Sequence, residues 1–242
     1  MAVNVDTVYQ RVLALANKEQ RGYITPQEFN LFANQAQMDI FEQYFYDINQ
    51  RERVPGNKDS YADISTLLEE KVDMFLKVHT VSGHGANNHI FGMPNDYYKL
   101  SEVSYKNPDG IYVEVERLTY KQYNLVKISP LTAPTPYRPI YFQKANKIII
   151  SPNDSHPGFV EDDARIIYLR KPIKVNWTYV IVGDKAMYNL SATDRSDFDL
   201  HPSEETKLVI KILALAGITL KDPTLYQVAI AEDNKSIQQE KQ

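Results

Sequence analysis

The chain has no cysteine among its 242 residues, and that absence removes several explanations at once. There is no disulfide framework, no thiolate nucleophile and no cysteine-ligated zinc, so packing must hold the fold. Long apolar runs are missing too, and none nears the length needed to span a membrane. Asp6 and Arg11 fall where an export signal requires a basic start followed by an uninterrupted apolar stretch, so a soluble, unexported protein is expected. The triplets at Asn153, Asn176 and Asn189 match the glycosylation pattern and carry no weight without export. An excess of positive charge is also absent. A formal charge of -4 and a pI near 5.8 argue against a large surface for gripping phosphates, although a local basic patch is compatible with them.

What is present is enough apolar material for a core, at 43% hydrophobic and 24% charged residues. The length allows one large body or two modest ones, and one body with helical additions is the simpler expectation. Tyrosine is abundant, at 17 against 9 Phe and 1 Trp. Tyrosine serves interfaces, where it combines contact area with a polar tip, and it equally serves half-buried sheets. Both accounts fit.

The apolar period along the chain changes twice. Val5, Val8, Val12, Leu15 and Ala16 recur at helical spacing and predict a helix ending near Gly22. A second helix begins at Thr25, with Pro26 at its first position and Glu28 completing a capping box. Its stripe of Phe29, Phe32, Ala33, Ala36, Ile40, Phe41, Tyr44 and Ile48 leads to the Pro55-Gly56 turn. From Val72 through Met74, Leu76, Val78 and Thr80 the period becomes two, as in a half-buried strand. SEVSYKNPDGIYVEVERL reads as a hairpin turning at Asn107 to Gly110, and RPIYFQ pairs with KIIIS across Lys144 to Asn146. RIIYLRKP and WTYVIV supply further strands, for six to eight in all, mostly antiparallel. The helical period returns at Leu208, Val209, Ile212, Leu213, Leu215 and Ala216, from Ser203 to Gly217. Asp222 and Pro223 open a last helix whose thin seam of Leu225, Val228, Ala229 and Ile237 suits docking on a partner or a frayed end. The expected fold is therefore α+β: N-terminal helices over 1–70, a mostly antiparallel β-sandwich or barrel-like body over 71–190, and a linker with helices over 191–242. The two helical parts are expected to form one layer.

Sequence signatures of catalysis are lacking. G-x-x-x-x-G-K-[ST], G-x-G-x-x-G, G-x-S-x-G and H-E-x-x-H do not occur, so no catalytic residue, cofactor or metal site is expected. Two constellations stand against that expectation. His79, His84 and His89 lie five residues apart in a Gly/Asn-rich loop, a spacing that matches neither a helix face nor a strand face, so incidental histidines are favoured over metal ligands. Asp194, Asp197 and Asp199, near Glu204 and Glu205, offer oxygen ligands without the order or glycine of a calcium loop; ordinary turn and capping roles are favoured. Lys99, Lys106, Arg117, Lys121 and Lys127 interleave with tyrosines as in a single-strand binding face, but Glu102, Glu114 and Glu116 dilute the field.

Three segments carry a resemblance: GYITPQEFNLFANQAQMDIFEQYF, RIIYLRKPIKVNWTYV and FDLHPSEETKLVIKILALAGITLKDPTLYQVA. Together they resemble virion proteins of short-tailed bacteriophages, including crAss-like and marine ones, that look like head-to-tail adaptor or ring proteins. The resemblance covers both ends and the middle, and its motifs are structural. It implies a non-enzymatic subunit of a ring, generally of twelve copies, seated beneath the portal protein and extending the DNA channel toward the tail. The partners implied are further copies of itself, the portal, other neck or tail rings, and DNA passing without sequence-specific contact. The location implied is the virion neck. The chain departs from smaller, all-helical adaptors in carrying a substantial β body. Within this resemblance Leu225, Tyr226 and Ile230 are the candidate portal anchors. Another neck or tail ring protein is the alternative, and a nucleic-acid-binding protein a more distant one.

Overall fold

Asn4 starts the first helix, because its side-chain oxygen accepts the backbone N–H groups of Asp6 at 2.9 Å and Thr7 at 3.1 Å. In the computed structural model, residues 3–18, 24–53, 63–81, 90–107, 109–152, 164–183 and 185–219 are described, together with 227, 231, 232, 234 and 235. The elements are α1 (Val5–Lys18), α2 (Pro26–Arg53), α3 (Asp63–Asp73), β1 (Leu76–Val81), β2 (Ile90–Gly92), β3 (Tyr97–Lys106), β4 (Tyr112–Glu114) and β5 (Glu116–Arg117). They continue with α4 (Tyr120–Ile128), β6 (Ile140–Lys144), β7 (Lys147–Ser151), β8 (Ala164–Arg170), β9 (Tyr179–Val182), β10 (Lys185–Tyr188) and, after a 3-10 turn at Pro202–Glu204, α5 (Glu205–Thr219). The fold is α+β with helices toward both ends. It divides into two compact units, Met1–Met74 with Pro172–Gln242, and Phe75–Lys171.

In the helical unit the capping box forms as its sequence requires. Glu28 accepts the Thr25 backbone N–H at 2.9 Å, and Thr25 Oγ1 accepts that of Glu28 at 3.3 Å. Phe29, Ala33, Ala36, Ile40 and Phe41 of α2 are buried, as are Val5, Val8 and Val12 of α1 and Leu208, Ile212 and Ala216 of α5. Both α1 and α2 pack on α5. Helix α5 runs through Gly217 to Thr219 and does not stop at the glycine, while Gly22, Pro55 and Gly56 lie outside the described residues.

Three polar residues of α2 do what the apolar stripe cannot. Asn30, Asn34 and Gln37, at i, i+4 and i+7, meet the extended backbone of Ile173 to Trp177 with their side-chain amides. Asn34 Oδ1 accepts the Val175 N–H at 2.9 Å and its Nδ2 donates to the Val175 carbonyl at 2.9 Å. Asn30 treats Trp177 alike, at 2.8 and 3.2 Å, and Gln37 donates to the Ile173 carbonyl at 2.7 Å while accepting the Asp199 N–H at 2.9 Å. These amides satisfy backbone groups as a neighbouring strand would. The hairpin that follows groups with the helices for this reason, although 71–190 was expected to be one β domain.

The second unit is a sandwich. One sheet has the order β1-β8-β3-β4 and the other β2-β7-β6-β5, antiparallel except for the β5–β6 pair. Val103, Tyr105, Ile166 and Tyr168 from the first share a core with Phe91, Tyr141, Ile148 and Ile150 from the second. Strands β6 and β7 are apolar on both sides because α4 covers their outer face, where Tyr123 packs on Ile140 and Phe142. Both expected hairpins form, β3 with β4 and β6 with β7. In the first, Asn107 Oδ1 accepts the Ile111 N–H at 2.8 Å and Gly110 takes φ +83°, which only glycine adopts at little cost.

Two expectations are corrected. Val72 belongs to α3, and Met74 to the turn after it, so the strand starts at Leu76; Val78 on β1 is 61% exposed and not half-buried. A period of two and the end of a helix coincide over Val72 to Met74. Ten strands are present among the described residues, against six to eight expected, because β2 and β5 are shorter than a periodic pattern needs and β10 has only four residues.

Asp96, in the turn ahead of β3, ties to β1 and β8 of the first sheet. Its Oδ2 lies 2.9 Å from Lys77 Nζ and its Oδ1 accepts the Tyr168 hydroxyl at 2.9 Å. The Lys77 hydrogen bond, and after it that of Tyr168, hold the Asp96 carboxyl below its usual range, so its contribution to stability is present above that range and fades as pH falls through the lowered value. Burial, and then the Asp96 carboxylate, push the Tyr168 phenol up from 10.0 to about 12. The folded unit thus keeps a proton that the unfolded chain releases. That contribution is whole below about pH 10 and is lost as pH rises to about 12. Tyr168→Phe is expected to flatten the fall in urea midpoint between about pH 9 and about pH 12, followed by circular dichroism. An unchanged alkaline slope would remove Tyr168 as its source.

Candidate functional site

The only tryptophan of the chain is 1% exposed and stands at the base of the β9–β10 hairpin. Its indole N–H donates to Asp6 Oδ1 at 3.0 Å, in the first turn of α1. The Tyr9 ring lies 4.0 Å from it, centroid to centroid, while Tyr179 and Tyr188 stack on it at 5.9 and 5.8 Å with planes within 18°. Tyr179 and Tyr188 are register partners, so this stack grips both strands at once. Thr178 and Asn189 close the base with two hydrogen bonds of 2.9 Å.

Beyond that grip the hairpin is apolar and uncovered. Val180 pairs with Met187 and Ile181 with Ala186, and alternation sends the two pairs to opposite faces. Val180, Val182 and Met187 are exposed and Ile181 is 68% exposed, with exposed Leu190 just after the hairpin. A two-stranded ribbon is marginal alone and gains by being covered. Scattered apolar residues need no explanation, but here five exposed ones gather on and beside one hairpin. Sequence reasoning gave WTYVIV as a strand and missed the arm. The signal was Gly183-Asp184 followed by KAMY, a short turn between apolar strands.

The three aspartates are used separately. Asp194 accepts from Asn176 Nδ2 at 3.1 Å, Asp197 accepts the Val5 N–H at 3.0 Å at the start of α1, and Asp199 accepts the Ile173 N–H at 3.3 Å. Glu204 pairs with the buried Lys71, and Glu205 with Arg11 at 2.9 Å. Among the described residues no group of three or more His, Asp or Glu is placed to hold a metal ion. His79 is exposed on β1, while His84 and His89 lie outside the described residues, as do Leu225, Tyr226 and Ile230.

The basic residues noted in the sequence spread over several elements, Lys99 and Lys106 on β3, Arg117 on β5, Lys121 and Lys127 on α4. Among the described residues, no helix is long and apolar enough to cross a membrane. Compared with known proteins, the chain matches no family model and no curated protein.

Proposed function

We propose that this chain is a structural, non-enzymatic subunit of a tailed-bacteriophage particle, a head-to-tail adaptor that acts as part of a ring beneath the portal and continues the DNA channel toward the tail. The observation that carries the proposal is the β9–β10 arm, whose aromatic base is locked into the helical unit while its exposed apolar residues await cover. A subunit of a permanent assembly has a use for such an arm, because a partner surface removes its apolar side chains from water. The resemblance of the three sequence segments to ring proteins supports the same reading. So does the acidic total, since a channel wall of that sign repels phosphates and lets DNA slide. In this reading the chain assembles with copies of itself, twelve by the resemblance, and with the portal and neighbouring rings, Leu225, Tyr226 and Ile230 being the proposed portal anchors.

Imaging of the purified protein and of particle necks tests it. Wild-type chain is expected to form rings. Ile181→Asp with Met187→Glu is expected to leave circular dichroism and Trp177 emission unchanged but to weaken assembly by roughly 30-fold or more, the loss of about 2 kcal/mol that a buried apolar anchor represents. A wild-type protein that stays monomeric at every concentration and is absent from the neck sinks the proposal.

A further inference from the structure

Charge is segregated between the two units. Of 27 Lys and Arg and 31 Asp and Glu, residues 75–171 hold 12 basic and 9 acidic, net +3, leaving 15 and 22, net -7, for the helical unit. The segregation is sharpest in two stretches. Residues 117–138 contain Arg117, Lys121, Lys127 and Arg138 and no carboxylate, though Arg138 lies 3.8 Å from Glu116; residues 26–50 contain Glu28, Asp39, Glu42 and Asp47 and neither Lys nor Arg, with Arg51 and Arg53 following at the end of α2.

Each stretch presents a helix face with exposed apolar residues. On α4, Tyr123 points into the unit, and the opposite stripe at i, i+4 and i+7 is Lys121, Leu125 and Ile128. Ile128 is 79% exposed, and Leu131, three residues beyond the helix end, is 97% exposed. On α2 the face opposite Phe29, Ala33 and Ile40 carries Leu31, Gln35, Glu42 and Tyr46, with Asp39 on its flank. Leu31 is 71% exposed and Tyr46 is exposed as well. One face is apolar with a basic surround, the other apolar with an acidic surround. Complementary potentials of this kind select and orient partners, while the apolar centre supplies the affinity.

We propose that the α4 face of one copy docks on the outer face of α2 of a second copy. The occupant follows from charge, because α4 carries Lys121 and Lys127 with no carboxylate of its own, and the outer face of α2 carries Glu42 with Asp39 on its flank. Since the faces differ, the contact is head-to-tail, every copy offers one of each, and repetition closes into a ring when the rotation per subunit allows. Closure, though not the pairwise contact, rests on the ring reading above.

Two doubly substituted full-length chains test the contact. One carries Lys121→Glu and Lys127→Glu, making both faces acidic; the other carries Asp39→Lys and Glu42→Lys, making both basic. Each alone is expected to self-associate at least about tenfold more weakly than wild type in low salt, measured by analytical ultracentrifugation. Mixed in equal amounts they are expected to regain association, because each α4 face then meets an α2 face of opposite sign. Normal assembly of either variant alone, or failure of the mixture, overturns the contact. So does an α4 variant that assembles normally while losing affinity for a single-stranded oligonucleotide, which assigns the basic face to nucleic acid. Wild-type rings with indifferent charge variants leave the ring reading standing and remove only this interface; a monomeric wild type removes both.

Discussion

Trp177→Ala is expected to destabilise the helical unit by about 3–5 kcal/mol, the range for removing a fully buried large aromatic side chain. The site has little means of collapsing, since Tyr9 lies on one ring face and the hairpin tyrosines Tyr179 and Tyr188 stack on the indole. The change also leaves Asp6 without the indole N–H that it accepts at 3.0 Å. Against a total stability of about 5–15 kcal/mol for a domain, this is a large share. The far-UV signal must be followed in urea, because the substitution removes the only indole fluorophore. Trp177→Phe separates the contributions: most apolar burial is kept and the hydrogen bond is lost, for about 1–2 kcal/mol. Assembly should fall with Trp177→Ala, since the hairpin loses the stack that fixes both strands. A loss below about 1 kcal/mol with the hairpin still competent would mean that the arm is held elsewhere.

The second large effect concerns Lys71 and Glu204, which form an ion pair with side chains 10% and 2% exposed. The pair fastens α3 to the 3-10 turn ahead of α5, and the Lys71 ammonium also lies 5.7 Å from the centre of the Tyr44 ring. Desolvating two charges costs about as much as their attraction returns, so the pair itself adds little net stability. Breaking it is another matter. Glu204→Gln strands a buried ammonium and is expected to cost about 3–5 kcal/mol, whereas Lys71→Met with Glu204→Leu is expected to return to within about 1 kcal/mol of wild type or above it. Urea unfolding of the three proteins gives the comparison. A double substitution as unstable as Glu204→Gln would show that the pair is worth more than its apolar replacement.

Much of the chain is legible in its sequence. The Thr25–Glu28 capping box, the α2 stripe, the Asn107–Gly110 turn and both hairpins of the sandwich all follow from local chemistry. Helix α4 left only its capping box, Thr119 with Gln122, as a local signal, because Tyr120 to Ile128 mixes inward Tyr123 with outward Leu125 and Ile128 and so shows no clean apolar stripe. Tyrosine turned out to serve the interior widely: Tyr9, Tyr44, Tyr105, Tyr123, Tyr141 and Tyr168 are buried, against exposed Tyr46, Tyr120 and Tyr137. The aspartate cluster illustrates a different limit. Proximity in sequence suggested a common ligand, yet Asp194, Asp197 and Asp199 each serve a different backbone or amide partner.

The sequence by itself determined the α+β layout, the position of most helices and hairpins, and the absence of recognisable catalytic motifs, because these depend on periods, caps and turns set within a few residues. Only the tertiary structure decided which segments belong together. Asn30, Asn34 and Gln37 lie 136 to 162 residues from the backbone that they hold, and Asp6 lies 171 from Trp177. A polar residue on a helix reads as solvent-facing until a distant stretch of backbone arrives to meet it. For the same reason the hairpin at 179–188 became an exposed arm of the helical unit: its anchor is a stack of four aromatic rings drawn from α1 and from the chain 168 residues further on, and no local pattern records that meeting.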